Sequence, residues 1–193
     1  MRWKTARWAI ALGLLGVSTL GNTASTYRFT LDPGSSSVDA KVAFMGVGNR
    51  KAYFPALRGN VVLTPTQMDQ IDLDVSIDAT QLKADDGVTT NRLKGKDFFY
   101  VDKYPVVRFE GKALSMRNET SGVVEGELTA RGMTRPVALN VTFSSPPASA
   151  NGKEPIRLTG VTTINRRDFG MTAYSVIVGK QVSITIKTRL LPG

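Results

Sequence analysis

The sequence predicts an all-β protein: about eight antiparallel strands and one short helix, preceded by an export signal. Three features carry that expectation. Five segments alternate apolar and polar residues with a period of two, turn residues interrupt them at short spacing, and the first two dozen residues differ in composition from the rest.

Arg2, Lys4 and Arg7 open the chain with no acidic neighbour, Trp8 to Leu20 is almost purely apolar, and Gly21, Thr23, Ala24 and Ser25 are small. Positive start, apolar run and small residues, in that order, describe a secretory signal. The run of about 13 residues is short of the ~20 that a spanning helix needs. An uncleaved anchor helix is the alternative. We expect residues 1–24 to be the signal peptide and residues 25–193 to form one domain. Asn22 disturbs the small-x-small pattern, so cleavage after Gly21, Ala24 or Ser25 stays open.

The strong strand signals follow in order. Val38, Ala40, Val42 and Phe44 alternate with Asp39, Lys41 and Ala43; Ile71, Leu73, Val75 and Ile77 alternate with Asp72, Asp74, Ser76 and Asp78. Val107, Phe109, Gly111 and Ala113 share one face, as do Val137, Leu139, Val141 and Phe143, and then Val182, Ile184, Ile186 and Thr188. Weaker versions span residues 27–31, 57–63, 123–130 and 156–164. Alternate side chains of a strand point to opposite faces, so each segment has one apolar and one polar side. That pattern belongs to an antiparallel sheet with one wet face.

Asp32-Pro33-Gly34, Thr64-Pro65, Asp85-Asp86-Gly87, Arg131-Gly132 and Ser145-Pro146-Pro147 mark turns, and Pro146 to Pro155 reads as a long hairpin loop. The helix is expected over Thr89 to Asp97, leading into Phe98-Phe99. Eight or nine two-faced strands hide their apolar sides either by stacking two sheets or by closing one into a barrel. Periodicity leaves that choice open.

The chain contains no His and no Cys. Imidazole-based nucleophile systems, His-ligated metals and thiolate sites are thereby excluded, as are disulfides. Two carboxylates suffice for some hydrolases, but Asp72, Asp74 and Asp78 are expected on a wet face and Asp85-Asp86 in a turn, where solvated carboxylates make poor general acids. We therefore expect no enzyme. Gly46-Val47-Gly48 does not open a helix and reads as a turn, not a phosphate loop. Net charge is +9, of which the first seven residues supply three, leaving +6 on the domain. Such a balance suits an anionic neighbourhood. The cations are scattered and not interleaved with aromatics, which argues against nucleic acid.

Three stretches resemble the YceI-like family of bacterial periplasmic proteins. They are Lys96-Asp97-Phe98-Phe99-Tyr100-Val101-Asp102-Lys103-Tyr104-Pro105 with Phe109, then Gly126 to Val137 around Arg131-Gly132-Met133-Thr134-Arg135-Pro136, and Ile164 to Met171 followed by Val178-Gly179-Lys180-Gln181-Val182. The resemblance covers Tyr27 to Leu190. It implies a lipocalin-like antiparallel barrel whose elongated cavity holds a polyisoprenoid, quinone or similar long-chain lipid, a periplasmic location, and neither catalysis nor a cofactor. Two histidines of the family pattern are replaced here: Asp-Pro-x-His-Ser reads Asp32-Pro33-Gly34-Ser35-Ser36, and Arg-Asp-x-His-Leu reads Thr89-Thr90-Asn91-Arg92-Leu93. Recognition of the ligand's head should differ accordingly.

On this reading the cavity is lined by Val42, Phe44, Leu73, Val75 and Ile77, by Phe109, Leu128, Leu139 and Val141, and by Ile184 and Ile186. Phe98, Phe99, Phe169 and Met171 are expected at a cavity end, with plain core packing the equal alternative for each. Arg92, Arg131, Arg135 and Arg166, at strand ends or turns, are the candidates for meeting an anionic headgroup. The partner is a lipid and not nucleic acid, the mature form has no membrane span, and monomer or homodimer both remain open. Two other readings compete: an outer-membrane barrel, with its apolar face outward, and a ligand-free interaction module whose barrel is filled by its own side chains.

Overall fold

The computed structural model describes residues 24–46 and 48–193. Apart from Ala24, the expected signal peptide lies outside the described residues. Eight antiparallel strands close into a barrel in the order β1 (Tyr27–Leu31), β4 (Leu57–Leu63), β5 (Ile71–Asp78), β7 (Val106–Met116), β8 (Ser121–Ala130), β9 (Met133–Phe143), β10 (Ile156–Asn165) and β11 (Val178–Pro192). The ring shuts where β11 returns to β1, pairing Leu190 with Leu31 and Pro192 with Phe29. Periodicity had left sandwich against barrel open; the β1–β11 ladder makes it a barrel.

β11 is 15 residues long and pairs with more than β1. Its earlier residues, Val178 to Lys187, carry β2 (Ser37–Phe44), which pairs with β3 (Gly48–Phe54), which in turn holds the two-residue β6 (Lys83–Ala84). The first three staves of the barrel are thus each broken in two, at Pro33–Ser35, at Pro55-Ala56 and at Ala79–Gln81. The breaks lie side by side in the sheet, since Leu57 pairs with Ile77 just beyond them and Val38 with Phe54 just before. Carboxylates hold two of them: Asp32 accepts from the Gly34 N–H, and Asp78 from the N–H and hydroxyl of Thr80.

The helix α1 (Gly87–Lys94) starts two residues earlier and ends three earlier than the composition suggested. Its start is set by Asp86, read above as part of a turn, whose carboxylate accepts from the Thr89 N–H at 2.7 Å and the Thr89 hydroxyl at 2.8 Å. A side-chain acceptor at this position satisfies an N–H that the helix itself leaves unpaired. Arg92 and Lys94 in the last turn complement the helix dipole.

Two strand expectations need correction. β3 has no sequence signal because Gly48-Asn49-Arg50-Lys51 is polar throughout; its pairing is enforced by β2 across the hairpin. In β7 the register slips between Gly111 and Ala113, a bulge that reverses the alternation. Leu114, not Ala113, therefore faces inward, at 3 % exposure. Gly111 and Gly126 face each other across β7 and β8; a Cβ on Gly126 would stand 2.3 Å from the Glu110 carbonyl.

Inside and outside divide cleanly. The outer face carries Asp74 with Arg108 at 2.7 Å and Lys112 with Glu127 at 2.7 Å, while the inner face is apolar. This is the opposite of a barrel that meets lipid with its outer wall. No helix among the described residues is long and apolar enough to cross a membrane.

Candidate functional site: a hollow apolar barrel with a cationic mouth

The barrel is not packed solid. Its two ends differ. At the end formed by the 64–70, 117–120 and 144–155 turns, Phe29, Leu31, Leu63, Phe143, Ile156 and Leu190 are all buried, and Pro147 reaches inward as a plug. Tyr27 packs there against the left-handed Gly152, where any side chain would collide with its ring at 2.3 Å. Midway along the barrel, Leu73, Val75, Phe109, Leu158, Ile184 and Ile186 point inward yet keep part of their surface free. What they face is a hollow of about 350 Å³.

All the apolar residues expected to line a cavity do border this hollow: Val42, Phe44, Leu73, Val75, Ile77, Phe109, Leu128, Leu139, Val141, Ile184 and Ile186, with Phe98, Phe99, Phe169 and Met171 toward one end. The four arginines divide. Arg92 and Arg166 border it; Arg131 and Arg135 do not. Arg131 sits in the tight β8–β9 turn, left-handed like Gly132 after it, and its guanidinium donates to the carbonyls of Gly170 and Lys96. It fastens the segments that cap the barrel. Arg135 is exposed and donates to its neighbour Thr134's carbonyl.

Arg166 is the unusual one, a cation only 4 % exposed. Its Nε donates to Gly179 O at 2.9 Å, its Nη2 to Val178 O at 3.1 Å, and its Nη1 to Met171 O. Three carbonyls thus take the place of a counter-ion, and no carboxylate among the described residues pairs with it. Burial pushes its pKa below the usual arginine range, with the neighbouring Arg167 charge adding to the effect. The arginine ties the start of β11 to the turn at Arg166–Phe169 and so shapes the rim.

Stacked rings complete the mouth. Arg166 lies over Phe98 at 5.8 Å, Phe98 stacks on Tyr174 at 5.9 Å, and Arg92 of α1 covers Tyr174 at 5.3 Å. On the other side Arg50 lies 4.7 Å over Phe44, and Phe54 meets Phe99 edge-on at 5.5 Å. Arg50 and Tyr174 were not legible as site residues: one lies in a polar run, the other in a turn with no periodic pattern. Among the described residues five cations border the cavity, namely Lys41, Arg50, Lys51, Arg92 and Arg166, and no carboxylate does. The chemistry on offer is an apolar sleeve that opens onto positive charge.

The family model described as YceI-like domain matches residues 29–190. The chain belongs to the YceI-like family. The matched span begins in β1 and ends in β11, so it covers the closed barrel as a whole. Among curated relatives of this YceI-like protein, a UPF0312 protein of Pseudomonas putida is 26 % identical over 84 % of this chain and 85 % of its own length. One from Vibrio cholerae is 23 % identical, covering 84 % and 87 %. Among solved structures, Burkholderia cenocepacia BcnA superposes with a TM-score of 0.72 at 24 % identity, covering 82 % of this chain and 98 % of that one. A polyisoprenoid binding domain from Saccharophagus degradans superposes with a TM-score of 0.67 at 12 % identity, covering 86 % and 99 %. At these identities the superpositions establish the YceI barrel fold.

Proposed function

We propose that this YceI-like barrel binds one long apolar chain, a polyisoprenoid, quinone or related lipid, without transforming it. The observation that carries the reading is the hollow: inward leucines, valines and isoleucines that keep part of their surface free toward an apolar space of about 350 Å³. Such surface lowers the free energy of a hydrocarbon that water rejects. At ~0.8 kcal/mol per methylene, a five-carbon prenyl unit contributes at most about 4 kcal/mol. Rigid-body and ordering losses remove about 4–15 kcal/mol, so a few units suffice for micromolar affinity. The polyisoprenoid binding domain of similar fold supports the choice of ligand class.

The chain enters tail first, with its polar end held at the mouth by Arg50 and Arg92. Arg92 stands where the family pattern has a histidine, so on this reading the head meets a guanidinium there. The cavity border offers no carboxylate, imidazole or thiol to serve as acid, base or nucleophile, which favours carriage over catalysis. Residues 1–24 then direct export, residues 25–193 make up the carrier, and its place of work is the periplasm. A barrel filled by its own side chains and used only for protein contacts is disfavoured by the free inner surface.

Native mass spectrometry of protein purified without detergent tests the proposal. The expected spectrum contains a mass shift that collisional activation removes and organic extraction identifies as a prenyl lipid. A homogeneous apo mass with nothing extractable, persisting after incubation with ubiquinone or a prenol, overturns it.

A further inference from the structure

We propose that the open end of the barrel is a membrane-docking face that settles on an anionic phospholipid surface, placing the cavity mouth at the headgroups; the inference rests on the cavity holding a lipid chain. Two independent features of this end support it. The first is exposed apolar side chains. Val176 is 96 % exposed and Met45 61 %, and such side chains are informative where they cluster and are not scattered singly. They are neighbours: the Met45 N–H donates to the Ile177 carbonyl at 2.8 Å, which joins the β2–β3 hairpin tip to the segment that carries Val176. Tyr174 of that segment is 41 % exposed, and Val88, 70 % exposed, lies one turn before Arg92 on α1. The opposite end of the barrel, with its turns at 64–70, 117–120 and 144–155, carries none of the exposed large apolar side chains among the described residues.

The second sign is charge. Lys41 and Lys51 pair directly across β2 and β3, a like-charge juxtaposition that costs stability within the monomer. With Arg50 and Arg92 they stand at the cavity border of this end, which carries no carboxylate among the described residues; the acidic residues of the same end, Asp85, Asp86, Asp97, Asp102 and Asp168, lie outside that border. Apolar tips set in a cationic collar match an anionic bilayer interface, where the tips enter between headgroups and the cations meet phosphates. A folded protein partner would equally cover apolar tips. It would not need them to ring the mouth through which a lipid must pass, and the bilayer is the occupant we commit to.

Flotation of the signal-less protein with vesicles decides the matter. We expect binding to phosphatidylcholine vesicles containing phosphatidylglycerol and little or none to phosphatidylcholine alone, with the difference shrinking as salt screens the surface. Each cation near the surface is worth about fivefold in partitioning. The double substitution Met45→Asp and Val176→Asp, at two side chains that do not border the cavity, should weaken binding at least tenfold while the circular dichroism spectrum stays unchanged. Loading with a fluorescent prenyl lipid, measured separately in vesicle-free solution, keeps the two ideas distinguishable. Wild-type protein that loads lipid but ignores anionic vesicles, or a double variant that floats as well as wild type, overturns the docking face and leaves the carrier standing. Vesicle binding by protein that loads no lipid retains the docking face and removes the carrier.

Discussion

The rings of Phe98 and Tyr174 lie 3° from parallel with centroids 5.9 Å apart, and an arginine covers each outer face: Arg166 on the Phe98 side, Arg92 on the Tyr174 side. The four side chains come from three separate segments: α1 and the turn after it, the Arg166–Phe169 turn, and the loop before β11. Their stack joins those segments over the barrel's mouth, beside the hydrogen bonds of Arg131 and Arg166 to backbone carbonyls. One member, Arg166, is locked by three backbone carbonyls. The other end of the stack, Arg92 on Tyr174, is solvent-exposed and free to part.

Tyr174→Ala should therefore open the mouth without unfolding the barrel. Stacked aromatic pairs contribute about 0.5–1.5 kcal/mol beyond their burial, which as a release barrier corresponds to about a two- to thirteenfold faster escape of bound lipid. Stopped-flow transfer of a fluorescent prenyl lipid to acceptor vesicles measures this. An unchanged rate would show that the stack does not gate the mouth.

Arg166→Leu should instead cost stability. It leaves the carbonyls of Met171, Val178 and Gly179 without their donors in a buried place, and bonds to a charged group are worth about 1.5–3 kcal/mol each before relaxation. With water and backbone shifts compensating in part, a loss of roughly 3–4 kcal/mol is expected from urea unfolding. Arg166→Lys should recover only part of it, because an ammonium lacks the planar fork that reaches three oxygens. A loss below about 1 kcal/mol for the leucine variant would mean that the three carbonyls find water.

These two residues also show where the sequence is readable and where it is not. The apolar sides of β2, β5, β9 and β11 were legible because a period of two has one physical meaning, and the barrel turned all of them inward. Leu114 was not, because a single bulged residue reverses alternation and leaves no mark beyond Gly111. β3 was not, because its pairing is imposed by β2 rather than by its own residues. Arg166 could be named as a cation near the mouth, but its burial against carbonyls depends on three segments meeting in space. Arg131 is equivalent in sequence, a cation at a turn, yet it is a fastener. Charge at a turn fixes neither fate; the backbone that surrounds it does.

Stability should be flat in pH over the neutral range and fall only in acid. There is no histidine to titrate, so little changes between about pH 5.5 and 8.5. Asp74 is held below the ordinary carboxylate value of 3.8 by the Arg108 guanidinium bonded to it, and Asp86 by the N–H and hydroxyl of Thr89. A carboxylate whose folded-state pKa is depressed stabilises the fold above its unfolded pKa and stops doing so as pH falls through the folded one. Thermal unfolding across a pH series should show a plateau and then a decline below about pH 4. Asp74→Asn should flatten part of that decline, by a small amount because the pair is half exposed. A midpoint that moves by many degrees between pH 6 and 8 contradicts the assignment.

The hollow itself is open to a direct test, because filling it should cost binding and spare the fold. Val75 points into the middle of the barrel and keeps free surface there. In a close-packed core, enlarging a valine to tryptophan forces strain of about 1–3 kcal/mol or more. Where the added carbon enters an empty sleeve, that strain is absent and new contacts form. Val75→Trp should thus unfold within about 1 kcal/mol of wild type in urea. Its affinity for prenols should plateau at a shorter chain than wild type, because each further unit stabilises the complex only while there is apolar wall left to cover. Titration with prenols of increasing length, wild type beside variant, yields both plateaus. If the two coincide, the chain does not run past Val75. If the variant loses several kcal/mol of stability, that space is already filled by the protein's own side chains.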